Sequence, residues 1–200
     1  MTSTKVLPTG TSGYIGGAVL AQVLKSKHTS IKLSALVRSS EHEDIIRKLS
    51  AEPVLFEGLH QLDLIKYLAS EHDMVISCAS TMDLPSCVAL VEGLGTRRAK
   101  TGKEVNYVHT SGPSNFGDHV ITSEAILGIR LDKDDIFSFE KDGQDDWLLR
   151  KVDVAITEAG LRLGVRTYII NPPLIYGLGD GSINKQSLQI PTLIKMRLHL

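Results

Sequence analysis

Thr9-Gly10-Thr11-Ser12-Gly13-Tyr14-Ile15-Gly16-Gly17 decides the fold of this 200-residue chain. It follows a short apolar run, Val6-Leu7-Pro8, and leads into the helical pattern Ile15, Ala18, Val19, Val23. A strand, a glycine turn and a helix in that order make a dinucleotide-binding turn. Gly10 and Gly13 let the chain turn tightly, so that backbone N–H groups approach a pyrophosphate, and Gly16 lets the helix pack on the strand. The start of that helix adds unpaired N–H donors and a partial positive charge. The expected cofactor contacts from the turn are Gly10, Thr11, Ser12, Gly13, Tyr14, Ile15 and Gly16. A phosphate loop of the nucleoside-triphosphatase kind does not fit, because Ile15-Gly16 stand where it needs Gly-Lys.

Outward from the turn, short β-type runs alternate with helical patterns. The strand candidates are 4–8, 31–37, 53–56, 73–78, 104–109 and 165–170; the helix candidates are 14–26, 41–50, 60–71, 85–100 and 145–163. The strands are rich in Val, Ile and Leu without clean alternation, as expected when helices cover both faces. The pattern predicts an α/β fold, a doubly wound parallel sheet of Rossmann type spanning residues 1–200 as one domain. The irregular acidic stretch 117–144 is expected to be a surface loop with a short helix.

Composition narrows the function. A net charge of −1 argues against a general nucleic-acid binder or an anionic-membrane binder. The one dense basic run, Arg97-Arg98-Ala99-Lys100-Thr101-Gly102-Lys103, reads as cations at a helix C-terminus before a glycine stop. Cys78 and Cys87 alone give no disulfide framework, which fits a reducing compartment. No apolar run approaches the roughly 18 residues of a membrane span, so a cytoplasmic protein is expected. The seven histidines show no metal-ligand spacing, and each is expected on the surface or in a loop.

The end of the second strand selects the cofactor. Here Ser34-Ala35-Leu36-Val37-Arg38-Ser39-Ser40 carries no acid to hold a ribose 2′-hydroxyl. Arg38 lies about 20 residues past the turn, where a guanidinium pairs with a 2′-phosphate, and Ser39 can add a hydrogen bond. NADP is therefore expected over NAD, unless Arg38 merely faces solvent.

Four motifs in order carry a family resemblance: the glycine turn, Asp73-Met74-Val75-Ile76-Ser77-Cys78-Ala79-Ser80, His109-Thr110-Ser111-Gly112, and Asn171-Pro172-Pro173-Leu174-Ile175-Tyr176-Gly177. With them the chain resembles the extended and atypical short-chain dehydrogenase/reductases, close to the NAD-dependent epimerase/dehydratase group and to NmrA-like proteins of the fungal type. The resemblance implies Ala79 and Ser80 along the ribose and nicotinamide end, and Pro172 to Ile175 bordering the nicotinamide. It implies Ser111, with Ser114 as second candidate, as the hydroxyl that bonds a substrate oxygen. The family's acid/base pair is a Tyr followed four residues later by Lys, which places both on one helix face. Lys151 fills the Lys position as a catalytic and ribose-binding residue, but Trp147 holds the Tyr position. An indole N–H donates and does not titrate usefully.

Extended members continue past Tyr176-Gly177 with a substrate-binding portion. Residues 178–200 are therefore expected to begin a substrate lobe that is largely missing, and their apolar residues offer a surface for homodimer formation. Two functions follow. One is an NADP-dependent oxidoreductase, or an epimerase or dehydratase starting with the same hydride step, acting on a carbonyl or secondary alcohol of a small molecule. The other is a non-catalytic NADP sensor that reports to a regulatory protein. A degenerate fragment is the third reading. No metal, nucleic acid or membrane is expected in any of them.

Overall fold

A computed structural model describes residues 3–26, 30–117, 131 and 133–198. Six strands form one parallel sheet: β1 (Thr4–Thr9), β2 (Ile31–Val37), β3 (Glu52–Leu55), β4 (Met74–Ser77), β5 (Asn106–Thr110) and β6 (Arg166–Ile170). Their order across the sheet is β3-β2-β1-β4-β5-β6. The order reverses between β1 and β4, where a doubly wound sheet opens a crevice at the carboxyl ends of its strands.

Strand side chains alternate between two cores. Leu7, Leu36 and Val75 join one cluster with Leu90, Leu94, Val152 and Ile156. Val6, Ala35 and Val37 join the other with Leu20 and Ile46. The first core lies under α3 (Leu62–Ser70), α4 (Leu84–Thr101) and α6 (Leu148–Leu163); the second lies under α1 (Tyr14–Lys25) and α2 (Ser40–Lys48). Helices on both faces explain why these strands read as continuous apolar runs.

Local chemistry fixes the helix ends. Asp83 caps α4 by accepting from the Ser86 N–H at 3.0 Å, and Gly102 ends the helix at φ 68°. The basic run forms the last turn of α4, as read from the sequence. Arg97 reaches back to Asp73 through Nε at 3.0 Å and Nη2 at 2.9 Å, and Asp73 also accepts from the Lys5 N–H at 3.0 Å. This ion pair ties β1 and the entry to β4 to α4.

Two expectations change, the start of one helix and the exposure of one histidine. The helix expected from residue 145 begins at Leu148; Trp147 is its N-cap, in extended backbone with φ −138° and ψ 105°. Leu149, Val152 and Ile156 hold the buried face of α6, so packing starts the helix later than its periodicity. Within the acidic stretch, α5 (Ile136–Asp142) is the expected short helix, capped by Asp135 on the Ser138 N–H at 3.1 Å. Past Tyr176-Gly177 the chain forms a loop packed on α1, held by a Lys25–Asp180 ion pair at 2.8 Å, and then α7 (Gln189–Leu198). His109 is buried rather than on the surface, because it lies on β5 two residues after Tyr107 of the first core, whereas His72 stands in the connection between α3 and β4, as a loop residue, though buried. His28, His119 and His199 lie outside the described residues.

Candidate dinucleotide site and the acid cluster beneath it

Backbone geometry at the glycine turn leaves no space for side chains at two positions. Gly10 has φ 69°, a left-handed conformation, and a Cβ there would sit 2.8 Å from the Cys78 carbonyl oxygen. A Cβ on Gly16 would sit 2.2 Å from the Gly10 carbonyl oxygen. The Gly17 N–H bonds the Gly13 carbonyl at 2.9 Å and is the first to close the α1 ladder. The N–H groups of Tyr14, Ile15 and Gly16 thus precede that ladder and face outward at the positive end of the helix. A backbone cradle with glycine at 10, 13 and 16, at the positive end of a helix, fits a pyrophosphate.

Two clefts meet at this turn. The smaller, about 270 Å³, is lined by Gly10, Ser12 and Gly13, by Arg38, and by Ala79 and Ser80. The larger, about 650 Å³, is lined by Gly13 to Gly16, Ser111, Ser114, Leu149, and Pro172 to Ile175. Gly13 and Cys78 border both. Twelve residues read from the sequence therefore come together here: Gly10, Ser12, Gly13, Tyr14, Ile15, Gly16, Arg38, Ala79, Ser80, Ser111, Pro172 and Ile175. Ser80 holds φ 43°, uncommon outside glycine, and turns the chain at the cleft rim. Tyr14 closes the large cleft on the α1 side; its hydroxyl donates to the Tyr176 carbonyl at 3.1 Å.

Three expected contacts lie elsewhere. Thr11 is buried, and its hydroxyl donates to the Leu36 carbonyl at 3.4 Å, which turns its side chain into the sheet–helix layer. Ser39 caps α2, its Oγ accepting from the His42 N–H at 3.4 Å. Lys151 is exposed on α6 and lines neither cleft. Trp147 does not line them either; its ring lies 5.4 Å from the Arg150 guanidinium carbon.

Behind Ser111 is a cluster of which the motifs mark only His109. The Ser111 hydroxyl donates to Asp153 Oδ2 at 2.7 Å. Asn115, in a 3-10 turn over Pro113–Phe116, points its side-chain amide at Asp153 Oδ2 and, at 3.1 Å, at Glu140 Oε1. His109 Nε2 lies 3.7 Å from Asp153 Oδ1. Arg150 donates from Nε to the Asn115 carbonyl at 2.7 Å and from Nη2 to the Gly117 carbonyl at 3.1 Å, which fixes the loop. Asp153 and His109 are 0% exposed and Glu140 is 3% exposed.

Burial dominates the protonation of this cluster. It pushes the Asp153 carboxyl up to about 6, against the hydrogen bonds from Ser111 and Asn115. It pushes Glu140 up to about 7, with the Asp153 charge adding to the effect. It lowers His109 to about 4, so the imidazole is neutral near pH 7. The sequence did carry one signal for Asp153, an acid placed on the buried stripe of α6 formed by Leu149, Val152 and Ile156. Glu140 and Asn115 gave none, because only tertiary packing buries them.

The raised acids predict a pH dependence of stability. A folded-state carboxyl titrating above its unfolded value contributes fully below the ordinary carboxylate range and loses that contribution as pH rises through about 7 for Glu140. Glu140→Gln removes the cost of ionising this buried acid. Relative to wild type, the variant should gain about 2 kcal/mol more at pH 8 than at pH 5, or roughly 4–8 °C in Tm. Thermal melts at the two pH values check this, and an equal effect at both would refute it.

No protein-family model matches the chain. It is 27% identical to Oxidase ucsJ of Acremonium sp over 97% of its own length and 57% of that protein. The chain spans a little over half the length of the curated relatives it matches. Among solved structures, UDP-glucuronic acid 4-epimerase of Bacillus cereus, in complex with NAD, aligns with TM-score 0.57 at 16% identity, over 98% of this chain and 63% of that one. The leucoanthocyanidin reductase–NADPH complex of Vitis vinifera aligns with TM-score 0.52 at 15% identity, over 84% and 47%. No helix among the described residues is long and apolar enough to cross a membrane, and none of their His, Cys, Asp and Glu side chains groups as a metal site. Six parallel strands in the order 3-2-1-4-5-6, a glycine turn at the switch point and these alignments together give the chain the fold of the NAD-dependent epimerase/dehydratase and extended short-chain reductase group.

Proposed function

We propose that this chain is the nicotinamide-dinucleotide-binding part of an oxidoreductase that acts on a carbonyl or secondary alcohol of a small molecule, with NADP as its cofactor. The observation that carries this reading is the glycine cradle, where neither Gly10 nor Gly16 has space for a Cβ beneath the start of α1. The Tyr14, Ile15 and Gly16 N–H groups hold the pyrophosphate, Ala79 and Ser80 border the ribose, and Pro172 and Ile175 border the ring. When bound, the cofactor supplies or accepts a hydride. Ser111 offers its hydroxyl to the substrate oxygen in the large cleft. Residues 178–200 begin a substrate-binding lobe in this proposal.

Arg38 supports NADP, because its exposed guanidinium stands at the small cleft. A charge-assisted contact to a 2′-phosphate is worth about 1.5–3 kcal/mol. Arg38→Ala should therefore weaken NADPH binding roughly 10- to 150-fold by calorimetry and leave NADH binding unchanged. An equal effect on both would remove the NADP assignment, and no binding of either would remove the dinucleotide reading.

A second reading is a non-catalytic NADP sensor that reports to a regulatory protein. It is favoured by the positions of Trp147 and Lys151 outside both clefts. Binding of NADPH without turnover of any carbonyl would select it.

A further inference from the structure

Position 147 offers the large cleft no titrating group, yet hydride transfer to a carbonyl needs a proton. Resting on the oxidoreductase reading, we propose that Asp153 stores that proton and passes it to the cleft through the Ser111 hydroxyl. Ser111 lines the cleft on one side and donates to Asp153 Oδ2 at 2.7 Å on the other, which makes it the link between the two. Asp153 is 0% exposed. Its remaining partner, Asn115, is a neutral amide. Asp153 Oδ1, Asn115 Oδ1 and His109 Nε2 are buried without hydrogen-bond partners, so two acceptor oxygens of the cluster have no proton to accept among the described residues.

The surrounding groups leave the acid free to titrate. From β5, His109 is neutral near pH 7 and Tyr107 is held in its protonated form by burial. From α4, burial keeps Cys87 protonated up to about 11. From α5, Glu140 shares the Asn115 amide, and burial together with the Asp153 charge keeps its own carboxyl protonated up to about 7. Arg150 on α6 is engaged with the Asn115 and Gly117 carbonyls. Among the described residues no positive charge therefore pairs with Asp153, and burial keeps its carboxyl above the usual range.

In the reducing direction, the carbonyl carbon accepts the hydride with its electron pair and the C=O π pair moves to oxygen. That oxygen takes the proton of Ser111 Oγ, and Ser111 takes the proton of Asp153 Oδ2. The carbonyl becomes an alcohol, the reduced dinucleotide is oxidised, and Asp153 is left as a carboxylate that accepts from Asn115 and Ser111. Water entering the cleft after product release returns the proton by way of Ser111. Alcohol oxidation runs the same relay in reverse. Asp153 is a positioning residue and Ser111 the group that meets substrate.

The test uses the full chain, NADPH and a panel of small aldehydes and ketones. Wild-type reduction should fall as pH rises through about 6, where Asp153 loses its proton. Asp153→Asn should abolish that limb and lower the rate about 10²–10⁴-fold with NADPH binding retained. Infrared difference spectra, independent of turnover, should show a protonated carboxyl that titrates near pH 6 and is missing in Asp153→Asn. Should Asp153→Asn fail to fold, Ser111→Ala carries the same kinetic test. A pH limb that survives in the variants, or an Asp153 already ionised at pH 5, overturns the relay while the oxidoreductase reading stands. NADPH binding with no turnover of the panel overturns both.

Discussion

Gly16→Ala should weaken dinucleotide binding by at least about tenfold and lower the stability of the fold. The new methyl would lie 2.2 Å from the Gly10 carbonyl oxygen, 2.5 Å from its carbonyl carbon and 3.0 Å from the Thr9 carbonyl oxygen. All three are backbone atoms, so no side chain can swing aside. Gly10 is itself hemmed in by backbone, because at φ 69° its Cβ position already lies 2.8 Å from the Cys78 carbonyl oxygen. Only α1 can move, and its first-turn N–H groups are the proposed phosphate donors. Overpacking of this kind costs about 1–3 kcal/mol, and each 1.4 kcal/mol that falls on binding is tenfold in affinity. Calorimetry with NADPH, together with thermal melts, reads both effects. Gly102→Ala is the control: that glycine also has positive φ, at 68°, but nothing stands within 4 Å of its Cβ position. It should lose some stability and no affinity, and equal affinity loss in the two variants would refute the cradle argument.

Arg97→Ala should cost about 3–5 kcal/mol, because it strands a buried carboxylate. The Arg97 and Asp73 side chains are 11% and 9% exposed, so solvent does not replace the lost partner. For a chain of this length the loss corresponds to a fall in Tm of roughly 6–20 °C. Burial by itself would raise the Asp73 carboxyl, but the Lys5 N–H and the Arg97 guanidinium outweigh it and hold it below the usual range. The sign of the pH effect follows. A depressed carboxyl contributes stability above its unfolded value and loses it as pH falls through its folded one. Wild type should therefore lose stability toward low pH more steeply than Arg97→Ala, so that the gap between their melting temperatures closes in acid. Parallel curves would show that the pair contributes packing and not charge.

The two acid sites pull in opposite directions along the pH axis. Asp73 stabilises the fold above the acid range, whereas Asp153 and Glu140 cost stability as pH rises through about 6 and 7. A group that costs stability to keep titrating beside a cleft is what a proton store requires, and active sites are where such costs concentrate. Asp73 lies at the start of β4, and Asp153 lies behind Ser111 at the end of β5. The carboxyl ends of the strands carry the two clefts, and the amino ends carry the fastening ion pair.

Much of this protein is legible in its sequence because the deciding constraints are local. A glycine between a strand and a helix, an apolar run bounded by polar turns, and Gly102 after a basic helix end each act within a few residues, and the structure keeps the strand and helix order they imply. Spacing failed where tertiary packing chose among local options. Thr11 and Ser39 stand in the right segments, but their hydroxyls serve the Leu36 carbonyl and the α2 cap. Trp147 and Lys151 keep a four-residue spacing, yet α6 begins after Trp147 because its buried stripe starts at Leu149.

The sequence by itself determined the doubly wound sheet, the glycine turn at its switch point and most of the residues that line the two clefts. Only the tertiary structure decided which polar groups lie out of reach of water. Asp153, Glu140, Asn115 and His109 come from α6, α5, a 3-10 turn and β5, and their shared burial exists only once those elements pack together. Desolvation depends on neighbours distant in the chain, so the property that singles out these residues cannot be read from the order in which they are joined.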